Sequence, residues 1–200
     1  MKLEIQSVES AFEGISFGEF GPYEKVVGRA HGEADPSHRL NIDIINLDKA
    51  PRNAAGLVEY SVDFCVLKPI DMSKSNRRLL YDAPNRGDKL ALVDLNESVK
   101  GLGSNELSGA EDAGNGFLMR QGYVIAFSAW DGGVAPGVGY VEDAQGHVLA
   151  DFPVATDDGA PIVETCREEI IFAHTQSPGR SPLAYPAHEP DQGAATLTVR

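Results

Sequence analysis

The sequence predicts an α/β fold, a mixed sheet whose N-terminal portion is antiparallel and β-rich and which carries few helices. Three observations predict it. Val58, Tyr60, Val62, Phe64 and Val66 recur at every second position with Glu59, Ser61 and Asp63 between them, the period of a half-buried strand. Two short apolar runs, Arg78-Leu79-Leu80-Tyr81-Asp82-Ala83 and Tyr123-Val124-Ile125-Ala126-Phe127-Ser128, flank a helical segment. Such a βαβ unit forces its two strands to be parallel. The last third returns to candidate strands separated by polar turns.

Taken in order, residues 1–75 form the antiparallel portion. Residues 23–30 and 42–47 are strand candidates beside the long one. Gly32, Asp35 and Pro36, and then residues 50–56, supply the turns. Residues 76–135 hold the βαβ unit. Its first strand breaks at Pro84-Asn85-Arg86-Gly87, and Ser108-Gly109-Ala110-Glu111 fits a capping box that starts a helix. That helix is expected to run to Gln121, with Gly122 as the left-handed stop, although Gly114 and Gly116 weaken it by up to about 1 kcal/mol each relative to Ala. Residues 136–175 are a β-rich extension, with strands at 148–155 and 162–172 around the turn Thr156-Asp157-Asp158-Gly159-Ala160-Pro161. Residues 176–200 are a Pro-rich tail ending in the start of a strand at 196–200.

Composition excludes some functions. The chain has 200 residues, with Lys plus Arg 17 against Asp plus Glu 30 and a net charge of −13. Nucleic acid and anionic membranes are repelled by such a surface. The alternating N-terminus has no continuous apolar stretch of a signal peptide and no segment is long enough to span a membrane, so a cytoplasmic location is expected. Cys65 and Cys166 support neither a disulfide framework nor a zinc knuckle, and one disulfide between them stays open. The five His residues show no metal-ligand spacing, so no metal and no cofactor is expected.

Chemistry is expected where ligands sit in parallel sheets, beyond the C-terminal ends of the strands. Asn85, Arg86 and Gly87 follow the first strand of the unit; Trp130 and Asp131 follow the second. Gly87 lets backbone N–H groups approach a developing oxyanion, and Trp130 and Asp131 shape a substrate site, the alternative for Trp130 being a ring that caps the core. The bland reading has Asn85 and Gly87 making an ordinary turn and Arg86 solvated or paired with Asp82. Cys65 is either a thiol nucleophile or, as free cysteines more often are, a small buried hydrophobe.

The segments Glu24-Lys25-Val26-Val27-Gly28-Arg29-Ala30-His31-Gly32, Leu79-Leu80-Tyr81-Asp82 with Asn85-Arg86-Gly87, and Asp112-Ala113-Gly114-Asn115-Gly116-Phe117-Leu118-Met119-Arg120-Gln121-Gly122-Tyr123 resemble the N-terminal part of a family of large α/β-hydrolase domain-containing proteins. The likeness runs from about Tyr23 to Arg200. It implies an incomplete α/β-hydrolase-like sheet, with the Leu79 strand as its third strand, the Tyr123 strand as its fourth, and an oxyanion-hole N–H in the loop after the third. No G-x-S-x-G nucleophile turn is expected within these 200 residues, Ser128 and Ser104 lacking its flanking glycines. The resemblance places the nucleophile after Arg200.

Two functions follow. One is the N-terminal portion of a serine hydrolase for a carboxylic ester, lactone or amide, with a small-molecule substrate, holding oxyanion-loop residues and no triad. Its half-built sheet would leave an exposed edge through which copies associate into a homo-oligomer. The other is a non-catalytic β-rich binding or interaction module.

Overall fold

The computed structural model describes residues 1–98, 105–132 and 146–165. They form a mixed α/β structure with a mostly antiparallel sheet and few helices. Strands β1 (Lys2–Ser10), β2 (Tyr23–Ala34), β3 (Val58–Pro69), β4 (Leu79–Asp82) and β5 (Val124–Ser128) lie in the order β1-β2-β3-β5-β4, and β6 (Ala150–Asp151) pairs with β3. All pairs are antiparallel except β4 with β5, which run parallel from Leu79 opposite Val124 to Asp82 opposite Phe127. The expected adjacency of the two strands of the βαβ unit is therefore present. The alternating N-terminus pairs as β1, with a register shift between Ile5 and Ser7.

The connection between β4 and β5 differs from the single helix expected. It contains α1 (Ala91–Asn96), a 3₁₀ turn at Ala110–Ala113 and α2 (Phe117–Arg120). Gly114 and Gly116 adopt φ of 56° and 72° and split the segment. A Cβ on Gly114 would lie 2.1 Å from Asn96 O, so the glycine is required where the chain folds back on α1. The cap also sits one residue later than expected: Asp112, rather than Glu111, accepts from the N–H groups of Ser108 and Gly109, both at 2.9 Å.

Register assigns the faces. Lys25, Leu67, Ile125 and Leu80 share one face with Val27, Cys65, Phe127 and Asp82. Against it pack Leu92, Leu118 and Met119 from the helices and Phe12 and Phe17 from the segment after β1. Tyr23, fully buried, reaches through this layer, and its hydroxyl meets the carbonyls of Met119 (3.2 Å) and Tyr123 (3.0 Å). The opposite face carries Val8, Val26, Val66, Ala126 and Tyr81 in one cross-strand row. Helices cover the Cys65 and Leu67 side, so the alternating Val62, Phe64 and Val66 stripe of β3 is only half-buried.

Residues 42–47 are not a strand. Asn41 Nδ2 donates to Asp35 O and a chain of turn bonds (Asn41 N to His38 O, Ile44 N to Asn41 O, Leu47 N to Ile44 O) winds the segment into turns, leaving Ile42 and Ile45 68% and 87% exposed. The strand expected at 148–155 shrinks to β6, followed by the expected two-residue turn at Asp158 and Gly159, whose φ of 48° and 84° match an Asp-Gly hairpin. Residues 162–165 carry no strand. The remainder of that expected strand, the Pro-rich tail, the strand at 196–200, Cys166 and Ser104 lie outside the described residues.

Asn96 holds the helical layer together. Fully buried, its Nδ2 donates to Ala113 O (3.2 Å), its Oδ1 accepts from Leu118 N (3.0 Å) and its own carbonyl accepts from Asn115 N (2.6 Å). Asn96→Ala strands a buried donor and a buried acceptor, and is expected to lower unfolding free energy by about 2 to 4 kcal/mol in urea titration. A loss under about 0.5 kcal/mol would show that the layer does not depend on this side chain.

Candidate functional site

Because β4 and β5 are parallel neighbours, the loops that follow them leave the sheet at the same end. Two contacts join these loops. The Trp130 indole N–H donates to Pro84 O at 2.6 Å, and Arg86 Nε lies 3.3 Å from Asp131 Oδ2. The side chains of Arg86 and Asp131 are 28% and 19% exposed, so the pair is partly shielded from water. Nε has no aligned hydrogen bond, so the contact is a charge pairing rather than a directional bond. The sequence-level alternative for Arg86 is thus corrected: Asp82 instead accepts from Ala91 N (2.9 Å) and fixes the start of α1.

Asn85, Arg86, Gly87 and Asp88 form a two-residue turn closed by Asn85 N to Asp88 O (3.2 Å) and Asp88 N to Asn85 O (3.1 Å). Arg86 and Gly87 have φ of 52° and 88°, the signature of a primed hairpin turn. Gly87 is buried, its carbonyl accepts from Val148 N (3.1 Å), and a Cβ there would lie 2.6 Å from Val148 O. Only glycine fits. Among the described residues no backbone carbonyl accepts from the Gly87 N–H. All five residues expected at the site are therefore brought together on one rim.

Sequence reasoning missed two neighbours of that rim, His147 and Lys89. His147 packs its ring beside Gly87, and its Nδ1 is buried with no partner among the described residues. No spacing signal marks it. Lys89 is buried; its Nζ donates to the carbonyls of Asn105 (2.7 Å) and Gly146, while Asn105 Nδ2 donates to Asp88 Oδ1 (2.9 Å). Burial holds the Lys89 ammonium below its ordinary pKa. Cys65 is a free, buried thiol whose pKa burial raises. A thiol kept protonated is a poor nucleophile, so the structural reading of Cys65 stands over the catalytic one.

Sequence reasoning also passed over one match to G-x-S-x-G, Gly14-Ile15-Ser16-Phe17-Gly18. A nucleophile turn needs a strand before the serine and a helix after it. Ser16 instead sits between two 3₁₀ turns, bridges to Pro22, and precedes the start of β2, at the end of the sheet opposite the rim.

The described residues hold no group of three or more His, Cys, Asp and Glu side chains placed for a metal ion, and no helix long and apolar enough to cross a membrane. Lys89 generates a pH signature. Its folded-state pKa lies below the ordinary 10.5, so between those two values the unfolded chain binds the extra proton and stability rises with pH. The thiol of Cys65, raised from 9.0, opposes this, so the test uses a Cys65→Ala background. In that background, unfolding free energy measured from pH 7 to 10 is expected to rise, and the additional change Lys89→Met to remove the rise; an identical slope in both proteins contradicts it.

Compared with known proteins, the chain matches no family model, no curated protein and no solved structure.

Proposed function

We propose that the rim is the carbonyl-binding portion of a serine hydrolase acting on a small-molecule carboxylic ester, lactone or amide, with the nucleophile supplied from outside these 200 residues. The observation that carries the reading is the Arg86–Asp131 pairing, which holds the Asn85–Gly87 turn against the Trp130 loop at the C-terminal ends of adjacent parallel strands. In this reading the Gly87 N–H donates to the oxygen of the attacked carbonyl as negative charge builds on it. Arg86 is a positioning residue: its pairing with Asp131 fixes the turn. Trp130 and Asp131 form the wall beside the substrate. The side-by-side placing of β4 and β5 supports their reading as the third and fourth strands of an α/β-hydrolase-like sheet. A cytoplasmic location accords with the free thiol of Cys65.

A specific observation favours the alternative of a non-catalytic binding module. The turn is closed by its own backbone bonds and Val148 fills the α-carbon side of Gly87, so only the N–H is left for a ligand.

The two readings separate in kinetics. The 200-residue chain is expected to hydrolyse p-nitrophenyl acetate no faster than buffer. In a polypeptide that continues past Arg200 into a G-x-S-x-G, an acid and a His, Arg86→Gln is expected to lower kcat at least tenfold with KM little changed. A lost oxyanion donor costs about 3 to 4 kcal/mol, and a displaced one a fraction of that. Turnover by the 200 residues that disappears in Ser16→Ala moves the chemistry to Ser16, and unchanged kcat in Arg86→Gln removes the rim from catalysis.

We propose also that copies associate along the outer edge of β4. Among the described residues β4 pairs only with β5, and Leu79 and Tyr81 are 62% and 60% exposed there. Sedimentation is expected to show a concentration-dependent oligomer that Leu79→Lys disperses; a monomer at every concentration contradicts this.

A further inference from the structure

We infer that a trough next to the rim takes the acyl or aryl group of an uncharged small molecule. The inference deepens the proposed function, and rests on it only for which end of the ligand reacts. The trough has a volume of about 450 Å³, inside the range of small-molecule sites, and its lining includes Ala34, Ile44, Leu47, Val58, Tyr60 and Phe152.

Register places it at the reactive end of the sheet. Ala34 closes β2 opposite Val58, which opens β3, and β3 runs antiparallel to β5, so both lie at the end where β4 and β5 finish. Phe152 joins trough to rim. Its ring packs so closely on Gly132, the residue after Asp131, that a Cβ there would sit 2.8 Å from Cδ2, and its centroid is 6.0 Å from that of Tyr60. A ligand whose apolar part fills the trough thus extends its polar end toward Asp131 and Arg86.

The segment expected to be a strand forms the lip. Ile44 and Ile45 are 50% and 87% exposed on a loop wound into turns, an unfavourable use of large apolar side chains in water unless something covers them. The charge at the lip selects the ligand class. Glu33 lines the trough, its carboxylate tied to Asn53 Nδ2 at 2.8 Å, and the chain carries −13 overall. An anionic ligand meets repulsion there; a neutral ester does not.

Trp130, the single tryptophan, reports binding through its fluorescence. The probes are methyl butanoate, methyl hexanoate, methyl octanoate and the octanoate anion. Affinity is expected to tighten about fourfold per methylene along the ester series, from about 0.8 kcal/mol per buried CH₂. The octanoate anion is expected to bind at least tenfold more weakly than methyl octanoate. Ile45→Ser, at an exposed position that leaves the core intact, weakens methyl octanoate binding several-fold, and Ala34→Phe, which fills the trough, abolishes it. Binding is read on the 200-residue chain under unreactive conditions and catalysis on the longer polypeptide, so failure of the rim in catalysis and failure of the trough in binding are read separately. Affinity independent of chain length, or full affinity in both Ile45→Ser and Ala34→Phe, overturns the inference.

Discussion

Two strands that lie side by side and run the same way end on the same side of their sheet, and the site depends on that constraint. With β4 parallel to β5, the turn after Asp82 and the loop after Ser128 emerge together, and Arg86 meets Asp131 without any further device. An antiparallel pairing would send the two loops to opposite ends and leave Arg86 facing solvent. The antiparallel strands β2 and β3 then bring the trough to the same end, so both halves of the candidate site follow from strand direction alone.

Much of this was legible because it lies in local pattern. The period of two in Val58 to Val66, the apolar runs at Leu79 and Val124 and the Asp-Gly turn at Asp158 each reflect a backbone geometry that one segment imposes on itself. Where the structure departs from expectation, contacts distant in sequence decide. Residues 42–47 alternate like a strand, but among the described residues no strand pairs with them, and turn bonds such as Ile44 N to Asn41 O and Leu47 N to Ile44 O take their backbone groups instead. The helix expected before Gln121 is broken because Gly114 must pass against Asn96, a contact invisible to a cap-and-period argument. The buried side of β3 is likewise chosen by the helices above Cys65 and Leu67, not by the strand's own alternation. At the site, the residue types and loops were legible; His147 was not, because a lone histidine reaches the turn only through the pairing of residues 147–150 with Gly87 and β3.

Charge is distributed unevenly across this acidic molecule. Among the described residues two lysines are buried, and each is satisfied chiefly by neutral oxygens: Lys25 Nζ donates to Glu106 O and Ser108 Oγ, both at 2.8 Å, with Glu9 at 3.3 Å, and Lys89 Nζ donates to two carbonyls. Both pin residues 105–108 to the sheet side of the crossover. The opposite face of the sheet, with its row from Val8 to Tyr81, has among its close neighbours the ion pair of Glu24 and Lys68, which cancels its own charge. At the rim, as at Arg29 with Asp63, a cation stays partly exposed beside its carboxylate, an arrangement that would suit the proposed reception of a polarised carbonyl.

Nuclear Overhauser contacts from the Trp130 indole test the meeting of the two loops most directly, because a single tryptophan gives one unambiguous N–H resonance. The account predicts cross-peaks from that N–H to Pro84 and from the Trp130 ring to the 84–86 turn, together with the cross-strand pattern of parallel pairing between Leu79–Asp82 and Val124–Ser128. An indole that shows no contact with residues 84–86, or strands whose cross-peaks run in antiparallel order, would contradict it.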